Sequence, residues 1–315
     1  MPMTRAELVA AAQASIADGS KSFALASRLF DRATREHAWL LYAWCRRCDD
    51  IADGQDHGRD MQRVADPAAR LTQIQEATDT ALAGGLSDDP AFAALVLVAR
   101  ECAIPRRFID DVIAGFAADA AGWRPQHEDD LYRYCYQVAG AVGCMMAIVM
   151  GVDPADEALL DRACDLGLAF QLANIARDVG EDAAAGRCYL PRDWLADAGI
   201  ADAELMAEAN REMLAVFTSR LSIAAQAYET SATQGAAHLP FRSRWAVLAA
   251  AGIYGAIARE VQRRGVLALD QRVIIPRGVK LAKVASALRQ ALSSAPEHDR
   301  SGLWTRPRKS ESGQR

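Results

Sequence analysis

Apolar residues recur every three or four positions along almost the whole chain, a spacing that places them on one face of an α-helix. Many of the predicted helix ends carry Gly or Pro, as at Pro105 and Pro276. No segment alternates apolar and polar residues for long enough to build a sheet. The pattern therefore predicts an all-α fold, with a turn at 20–22 that leads into 23–29 and helices at 4–17, 32–53, 66–83, 89–103, 106–119, 129–151, 155–183, 202–232, 242–267 and 277–293.

The two most apolar runs, at 141–152 and 245–258, are shorter than the roughly 18–20 residues that a membrane-spanning helix needs. Both runs are typical of helices buried in a protein core. The chain has 315 residues, enough for one large domain with a sizeable core. We expect a single helical domain over residues 1–294, followed by a polar, disordered tail over 295–315.

Composition narrows the classes of function. The net charge is −5, which gives no support to a nucleic-acid partner. The seven cysteines are scattered and the N-terminus lacks a secretory signal pattern, so free thiols in the cytoplasm are expected. The basic residues around Trp304 could make a peripheral contact with the inner membrane face, but an inert tail explains them better.

Aspartates four residues apart occur five times, so the bare pattern is weak evidence for a site. The pairs at 56/60 and 193/197 fall in a Gly-containing loop and a short surface turn, where solvated charges explain them. On the helix at 155–183, Asp161 and Asp165 are predicted to form an outward, charged face. Local explanations also suffice for the aspartates at 88–89, 110–111 and 129–130, at helix starts or on the surface.

The remaining two pairs stand on helices with apolar neighbours. Within an arc of about 80° on one helix lie four oxygen-bearing side chains, flanked by Arg177; they are Gln171, Asn174, Asp178 and Asp182. On the helix at 32–53, an arc of about 60° holds a second such group; it consists of Tyr42, Arg46, Asp49 and Asp53.

Carboxylate pairs beside arginines suit Mg²⁺ and a diphosphate together. Mg²⁺ takes one or two carboxylates plus substrate phosphates, and arginine grips the remaining phosphate oxygens. Such a cluster can stabilise a diphosphate as it leaves an allylic carbon. The alternative is a pair of solvated, salt-bridged helix faces, which explains one pair well and two pairs poorly.

Two further segments keep alternative interpretations. Ser20, Lys21 and Ser22 precede a helix, where they either bind an anion or simply cap the helix. The small residues after Tyr134, in YCYQVAGAVG, either allow close helix packing or leave room for a long ligand. Cys45 and Cys48 lie mid-helix without further ligands, so core packing explains them better than zinc.

Four segments together resemble the squalene/phytoene synthase family, and within it the bacterial phytoene synthases. They are SKSF at 20–23, YAWCRRCDDIAD at 42–53, YCYQVAGAVG at 134–143 and LGLAFQLANIARDVGEDAAAGRCYLP at 166–191. The resemblance reaches to about residue 293. It implies a single-domain isoprenoid-synthase helical bundle around a central cavity.

The resemblance also implies roles for individual residues. Metal ligands for Mg²⁺, with Mn²⁺ as an alternative, would be Asp49, Asp53, Asn174, Asp178 and Asp182. Residues matching positions that contact the diphosphate are Ser20, Lys21, Ser22, Arg46, Arg177, Arg187 and Arg272. Residues matching positions near the reacting carbons are Tyr42, Tyr134, Gln171 and Tyr254.

The implied reaction joins two prenyl diphosphates through a cyclopropylcarbinyl diphosphate, in carotenoid biosynthesis and without NADPH. The small Ser27, one turn after Phe23, favours geranylgeranyl diphosphate, a C20 substrate that would give phytoene. A C15-joining enzyme that makes squalene, dehydrosqualene or a presqualene-type product is the alternative. A chain-elongating prenyltransferase and a non-catalytic isoprenoid-binding relative fit the motifs less well. The oligomeric state stays open.

Overall fold

The computed structural model describes residues 3–54, 66–85, 87–293 and 299–308, without the side chains of Lys21, Ser22 and Leu25. None of these residues forms a β-strand. The helices, in chain order, are α1 (Arg5–Gly19), α2 (Lys21–Ser27), α3 (Arg32–Asp53), α4 (Pro67–Leu82), α5 (Pro90–Glu101), α6 (Arg106–Ala120), α7 (Glu128–Cys135), α8 (Ala141–Val149), α9 (Glu157–Ala184), α10 (Arg192–Asp197), α11 (Arg211–Gly235), α12 (Phe241–Arg264) and α13 (Arg277–Leu292). The all-α prediction is confirmed.

Local chemistry sets several helix starts. Thr4 and Glu7 form a reciprocal capping box at α1, and the carboxylate of Asp31 accepts the backbone N–H of Thr34 at 3.0 Å at the start of α3. Asp89 caps α5 in the same way, as its position at a predicted helix start suggested. Gly54 ends α3 with φ of 64°, in the left-handed region that glycine adopts without strain.

Helix α9 lies at the centre of the bundle. It packs against α11, α12 and α8, while α1, α3 and α5 pack together on another side. Gly143 and Gly167 allow α8 and α9 to touch: a Cβ on Gly167 would come within 2.4 Å of the carbonyl oxygen of Ala139, and one on Gly143 within 2.5 Å of that of Ala163. Close helix packing therefore explains this part of the small-residue segment.

Three predicted elements differ from the observed ones. The helix predicted at 129–151 is interrupted by a π-helical turn, Tyr136–Gly140, between α7 and α8. The helix predicted at 202–232 begins only at Arg211, after two short 3₁₀ turns. Of the residues predicted as a turn at 20–22, Ser20 lies between α1 and α2, and residues 21–22 already belong to α2.

The C-terminal segment 299–308, which we call the strap, is the described part of the tail predicted at 295–315, and its arginines contact α9. Arg300 binds the fully buried carboxylate of Asp165 through Nε and Nη2, each at 2.8 Å. Arg306 is 2% exposed, and its Nε lies 3.0 Å from Asp161. The prediction of an outward Asp161 and Asp165 is therefore wrong, because arginines from a distant part of the chain stabilise these carboxylates in the interior.

No helix in the described ranges combines the length and apolarity needed to cross a bilayer. The pair at 56/60 lies outside the described residues, as does the predicted domain boundary at residue 294. The pair at 193/197 lies on the short helix α10, and Asp193 contacts His127 at 3.1 Å on the surface.

Candidate active site

A deep cavity with two connected parts opens beside α9. The inner part has a volume of about 630 Å³ and mainly apolar walls. The outer part, about 1020 Å³, is an acidic cleft. Six residues line both parts and so mark the boundary between them: Asp49, Phe116, Asp119, Tyr134, Gln171 and Asn174.

Both predicted acidic pairs line this one cleft. Asp49 and Asp53 reach it from the last turns of α3, and Asp178 and Asp182 from the C-terminal part of α9. Asn174 lies one turn before Asp178 and faces the same space. Two helix stripes that are far apart in the sequence therefore present their oxygen atoms to a shared volume.

The carboxylate of Asp49 is enclosed by protein but reached by water from the cleft. Its side chain keeps 47% of its surface accessible, yet burial raises its pKa to about 7, and Asp53 and Asp50 add to this rise. Arg46, 3.7 Å away, opposes the rise in the pKa more strongly than either aspartate adds to it, but burial outweighs it. This carboxylate is therefore poised to gain stability from a cation that enters the cleft.

Arg46 turns away from the cleft that the resemblance assigns to it. Its Nε lies 3.2 Å from Asp50, and its side chain borders a separate groove between α1, α3 and α5. Helix α3 points neighbouring residues in different directions, and the buried Asp50 draws this arginine to its own side. Arg46 thus reaches the site through its contact with Asp49 and its hydrogen bond with Tyr42.

Two other predicted arginines, Arg177 and Arg187, line the acidic cleft, and a third, Arg272, lines the adjoining groove. Arg177 donates from Nε to Asp178 at 2.7 Å, and Arg272 lies 3.1 Å from the same carboxylate. Arg187 donates to Asp53 at 3.2 Å. A diphosphate that enters the cleft would find these guanidinium groups already held at its rim.

The electrostatic environment of Asp182, on α9, is similar to that of Asp49 on α3. Burial raises the pKa of Asp182 to about 6, and the negative charge of Asp178 raises it further. Arg187 opposes this rise from nearby. Each acidic helix therefore carries one carboxylate with a raised pKa that an added cation would stabilise.

Tyr134 connects the cleft to the apolar part through a set of stacked rings. Its ring lies between Trp123, at 5.4 Å, and Tyr189, at 5.0 Å. Its hydroxyl donates to Asp119 at 2.9 Å. Burial raises the pKa of Asp119, so this carboxylate is a further acidic group at the boundary of the two parts.

Sequence reasoning missed Asp119 and Tyr189. A signal for Asp119 was present, because Val112, Phe116 and Asp119 follow helical spacing and all three line the inner part. An acidic residue on the same helix face as a row of apolar residues indicates that this face ends at a polar space. Nothing local distinguishes Tyr189, whose role depends on the folding back of 185–191 beside Tyr134.

Aromatic side chains form much of the wall near the boundary. The ring of Tyr254 stacks on Phe170 with centroids 3.9 Å apart, and that of Tyr42 lies 5.6 Å from Phe23. Gln171 lines both parts of the cavity. The four residues that match positions near the reacting carbons thus all border the cavity: Tyr42, Tyr134, Gln171 and Tyr254.

The residues before α2 give a mixed result. Ser20 borders the inner part, and its hydroxyl accepts the backbone N–H of Phe23 at 3.3 Å, which is a capping contact. The side chains of Lys21 and Ser22 lie outside the described residues. Ser27, expected to leave space for a long chain, is instead fully buried and accepts a hydrogen bond from Trp39 at 2.9 Å. Ala26 and Phe30 line the cavity in its place, so the size of Ser27 carries no argument about substrate length.

The donor set of the cleft suits Mg²⁺ when a diphosphate completes it. Among the described residues, no three or more His, Cys, Asp or Glu side chains gather into a ready metal cage. Mg²⁺ needs only one or two carboxylates when phosphate oxygens and water supply its other ligands. Asp49, with its raised pKa, and Asp53 offer this chemistry on one side, and Asp182 offers it on the other.

Comparisons with known proteins agree with this geometry. The family model described as squalene/phytoene synthase matches residues 16–279. The chain is 45% identical to the 15-cis-phytoene synthase of Pantoea ananas, over 97% of this chain and 100% of that one. It is 44% identical to the phytoene synthase of Pseudescherichia vulneris, with the same shares covered. A crystal structure of a dehydrosqualene synthase in complex with ligand superposes with a TM-score of 0.78 at 28% identity, covering 90% of this chain and 96% of that one.

Proposed function

Because the chain belongs to the squalene/phytoene synthase family, we propose that it is a phytoene synthase that joins two molecules of geranylgeranyl diphosphate head to head. The observation that carries the proposal is the single cavity in which two acidic helix stripes meet an apolar space. The name of relatives that match nearly the full chain supports the C20 substrate over the C15 alternative.

The reaction we propose has two stages, and neither needs a reductant. In the first, one C20 diphosphate ionises, its allylic cation is attacked by a double bond of the second molecule, and a proton is lost to give a cyclopropylcarbinyl diphosphate. In the second, this intermediate loses its diphosphate, rearranges and loses another proton. Two substrate molecules thus give one C40 hydrocarbon, two diphosphates and two protons.

The polar cleft would bind the leaving groups. Mg²⁺, held by Asp49 and Asp53 on one side and by Asn174, Asp178 and Asp182 on the other, would neutralise charge that develops on a departing diphosphate. Arg177, Arg187 and Arg272 already stand at the rim and would bind phosphate oxygens. Arg177 and Arg272 would exchange their bonds to Asp178 for bonds to phosphate.

The inner part would protect the cations. Its walls exclude bulk water, which would otherwise quench an allylic cation to an alcohol. Phe170 and Tyr254 stack on each other at the wall, and the uncovered outer face of this ring pair would favour a nearby positive charge. The Tyr134 hydroxyl is fixed by Asp119 and lies where the two parts of the cavity meet.

Product analysis with two substrates tests the proposal. The protein is incubated with labelled C15 or C20 diphosphate and Mg²⁺, without NADPH. We expect a C40 hydrocarbon from the C20 substrate and weaker or no condensation of the C15 substrate. Preferred condensation of the C15 substrate would replace the proposal with a C15-joining enzyme, and binding without diphosphate release would favour a non-catalytic relative.

A further inference from the structure

Helix α13 has two apolar faces, and among the described residues only one of these faces packs against other helices. On its inner face, Val284, Ala287 and Ala291 join a cluster with Leu248 and Ala249 of α12. The Trp245 indole N–H donates to the carbonyl oxygen of Val284 at 2.9 Å and fixes this orientation. The second apolar face points away from α12.

The apolar residues of the outer face have the spacing of a helix face that packs against another surface. Leu281, Ala285, Leu288 and Leu292 follow one another at intervals of four, three and four residues, which places them in one stripe. Leu281 is 64% exposed and Leu292 73% exposed. We call the stripe and its two flanking arginines the α13 outer face: Arg277, Leu281, Ala285, Leu288, Arg289 and Leu292.

The charge around this stripe has one sign. Between residues 271 and 293 the chain has five basic residues and no acidic one, although the whole protein has a net charge of −5. Arg277 and Arg289 are exposed beside the leucines. Ile274, two residues before the N-cap of the helix, is 72% exposed and extends the apolar surface.

We propose that the α13 outer face docks the protein on an anionic lipid bilayer. An apolar stripe flanked by arginines matches the two layers of such a surface, because leucine side chains enter the acyl boundary while guanidinium groups stay among the phosphates. A second copy of this chain fits less well, since a symmetric contact through this helix would bring its basic residues against their own copies.

The strap is a poorer candidate for the same partner. Its basic residues, which the sequence suggested for membrane contact, are engaged with α9: Arg300 with Asp165, and Arg306 and Arg308 with Asp161. Arg300 and Arg306 are largely buried and cannot bind lipid phosphate without giving up their carboxylates, which leaves the half-exposed Arg308 as the accessible one of the three. The α13 outer face requires no such rearrangement.

The position of the surface also connects it with the cavity. Only α12 separates α13 from the inner, apolar part: Val247 lines that part and also packs against the cluster that holds Ala287 and Ala291. A bilayer on α13 would therefore lie one helix away from the space that holds the hydrocarbon. Docking itself follows from the surface, whereas its use in delivering an insoluble product rests on the proposed function.

Vesicle sedimentation of the full-length protein tests the docking. Vesicles of phosphatidylcholine with phosphatidylglycerol are compared with vesicles of pure phosphatidylcholine. We expect the wild-type protein to bind the anionic vesicles and to lose binding as salt rises. The double variant Leu281→Glu, Leu292→Glu should lose at least tenfold in partitioning, and Arg277→Glu, Arg289→Glu should do the same.

A matched control uses two apolar residues of α11 that are also exposed, Val216 and Ile223, at 57% and 56%. The double variant Val216→Glu, Ile223→Glu makes the same change in charge and apolarity, so it should keep wild-type binding. The proposal would be overturned if Val216→Glu, Ile223→Glu lost as much vesicle binding as Leu281→Glu, Leu292→Glu. It would also be overturned if the wild-type protein did not bind anionic vesicles. A dimer in analytical ultracentrifugation that only Leu281→Glu, Leu292→Glu converts to a monomer would overturn it too.

Turnover of substrate in detergent, without vesicles, separates this proposal from the proposed function. The variant Leu281→Glu, Leu292→Glu should keep the wild-type rate of diphosphate release there. If the wild-type protein binds vesicles but forms no C40 product, the docking proposal stands and the proposed function is refuted.

Discussion

Removal of Arg300 should destabilise the protein, because it leaves the buried negative charge of Asp165 without its positive partner. Asp165 is fully buried, and its carboxylate accepts two bonds from Arg300 and one from the Ser231 hydroxyl at 2.6 Å. Breaking such a pair from one side costs about 3–5 kcal/mol, because the remaining charge stays desolvated. For Arg300→Met we therefore expect a fall in Tm of roughly 5–15 °C. The loss cannot exceed the free energy that docks the strap, since undocking lets water reach the carboxylate.

The pH dependence of this loss identifies its cause. Burial already raises the pKa of Asp165 above its ordinary value, and Arg300 holds the rise in check. Without Arg300 the folded-state pKa rises further above that of the unfolded chain. The folded variant then binds more protons than the unfolded one, so its stability increases as the pH falls through this range. Thermal unfolding at pH 5 and pH 8 should show the larger loss at pH 8.

Arg308→Met is the matched control, because it removes an arginine of the same strap whose side chain is 52% exposed. Asp161 keeps its contact with Arg306 in this variant. We expect a loss below about 1 kcal/mol, because Arg308 is half exposed and Asp161 keeps Arg306 as its partner. A Tm of Arg300→Met equal to that of the control, at both pH values, would refute the account of the strap as a buried electrostatic clamp.

Three further predictions concern the cavity. At low Mg²⁺ concentration, kcat/KM should fall as the pH drops below about 7, because the pKa of Asp49 is raised to about 7 and its protonated form binds no cation. Added Mg²⁺ should shift this fall in kcat/KM to lower pH. A fall that does not move with Mg²⁺ concentration would contradict the role of Asp49 as a metal ligand. Asp119→Asn keeps an acceptor for the Tyr134 hydroxyl but removes the charge, so kcat/KM should fall by roughly tenfold or more with little change in Tm; unchanged diphosphate release would remove Asp119 from the site. Ala246→Phe should fill the inner end of the cavity near Phe30 and shift the preference from C20 to C15 substrate by roughly tenfold; an unchanged product ratio in competition would show that the substrate chain ends elsewhere.

The fold and the acidic pairs could be predicted because their signals are local. Helical spacing fixes which residues share a face, so the sequence alone is enough to place Asn174 and Asp178 together on α9. Their meeting with Asp49 in one cleft is a tertiary fact, which periodicity alone cannot supply. Only the resemblance of whole segments to a known family pointed to it.

Other features depended on partners that are distant in the chain. Ser27 looked like a gap in a substrate cavity, but a bond from Trp39 holds it in the core. Arg46 matched a diphosphate position, whereas Asp50 draws it toward the groove behind α3. In both cases a polar neighbour decided the direction of the side chain, through a hydrogen bond for Ser27 and an ion pair for Arg46, and sequence spacing carries no record of that choice.

Helix α9 shows most clearly why the same spacing of aspartates can have two different roles. It carries aspartates four residues apart twice, at 161/165 and at 178/182, and arginines from later in the chain bind both sets. The first pair is sealed: Asp165 has no exposed surface, so its exchange of partners would require the strap to leave. The second pair opens on the cleft, and its partner Arg272 is 47% exposed, so a diphosphate could replace one partner by another. The same spacing therefore gives a permanent ion-pair cluster at 161/165, where water is excluded, and a candidate binding site at 178/182, where water and ligand can enter. Solvent access decides between the two roles.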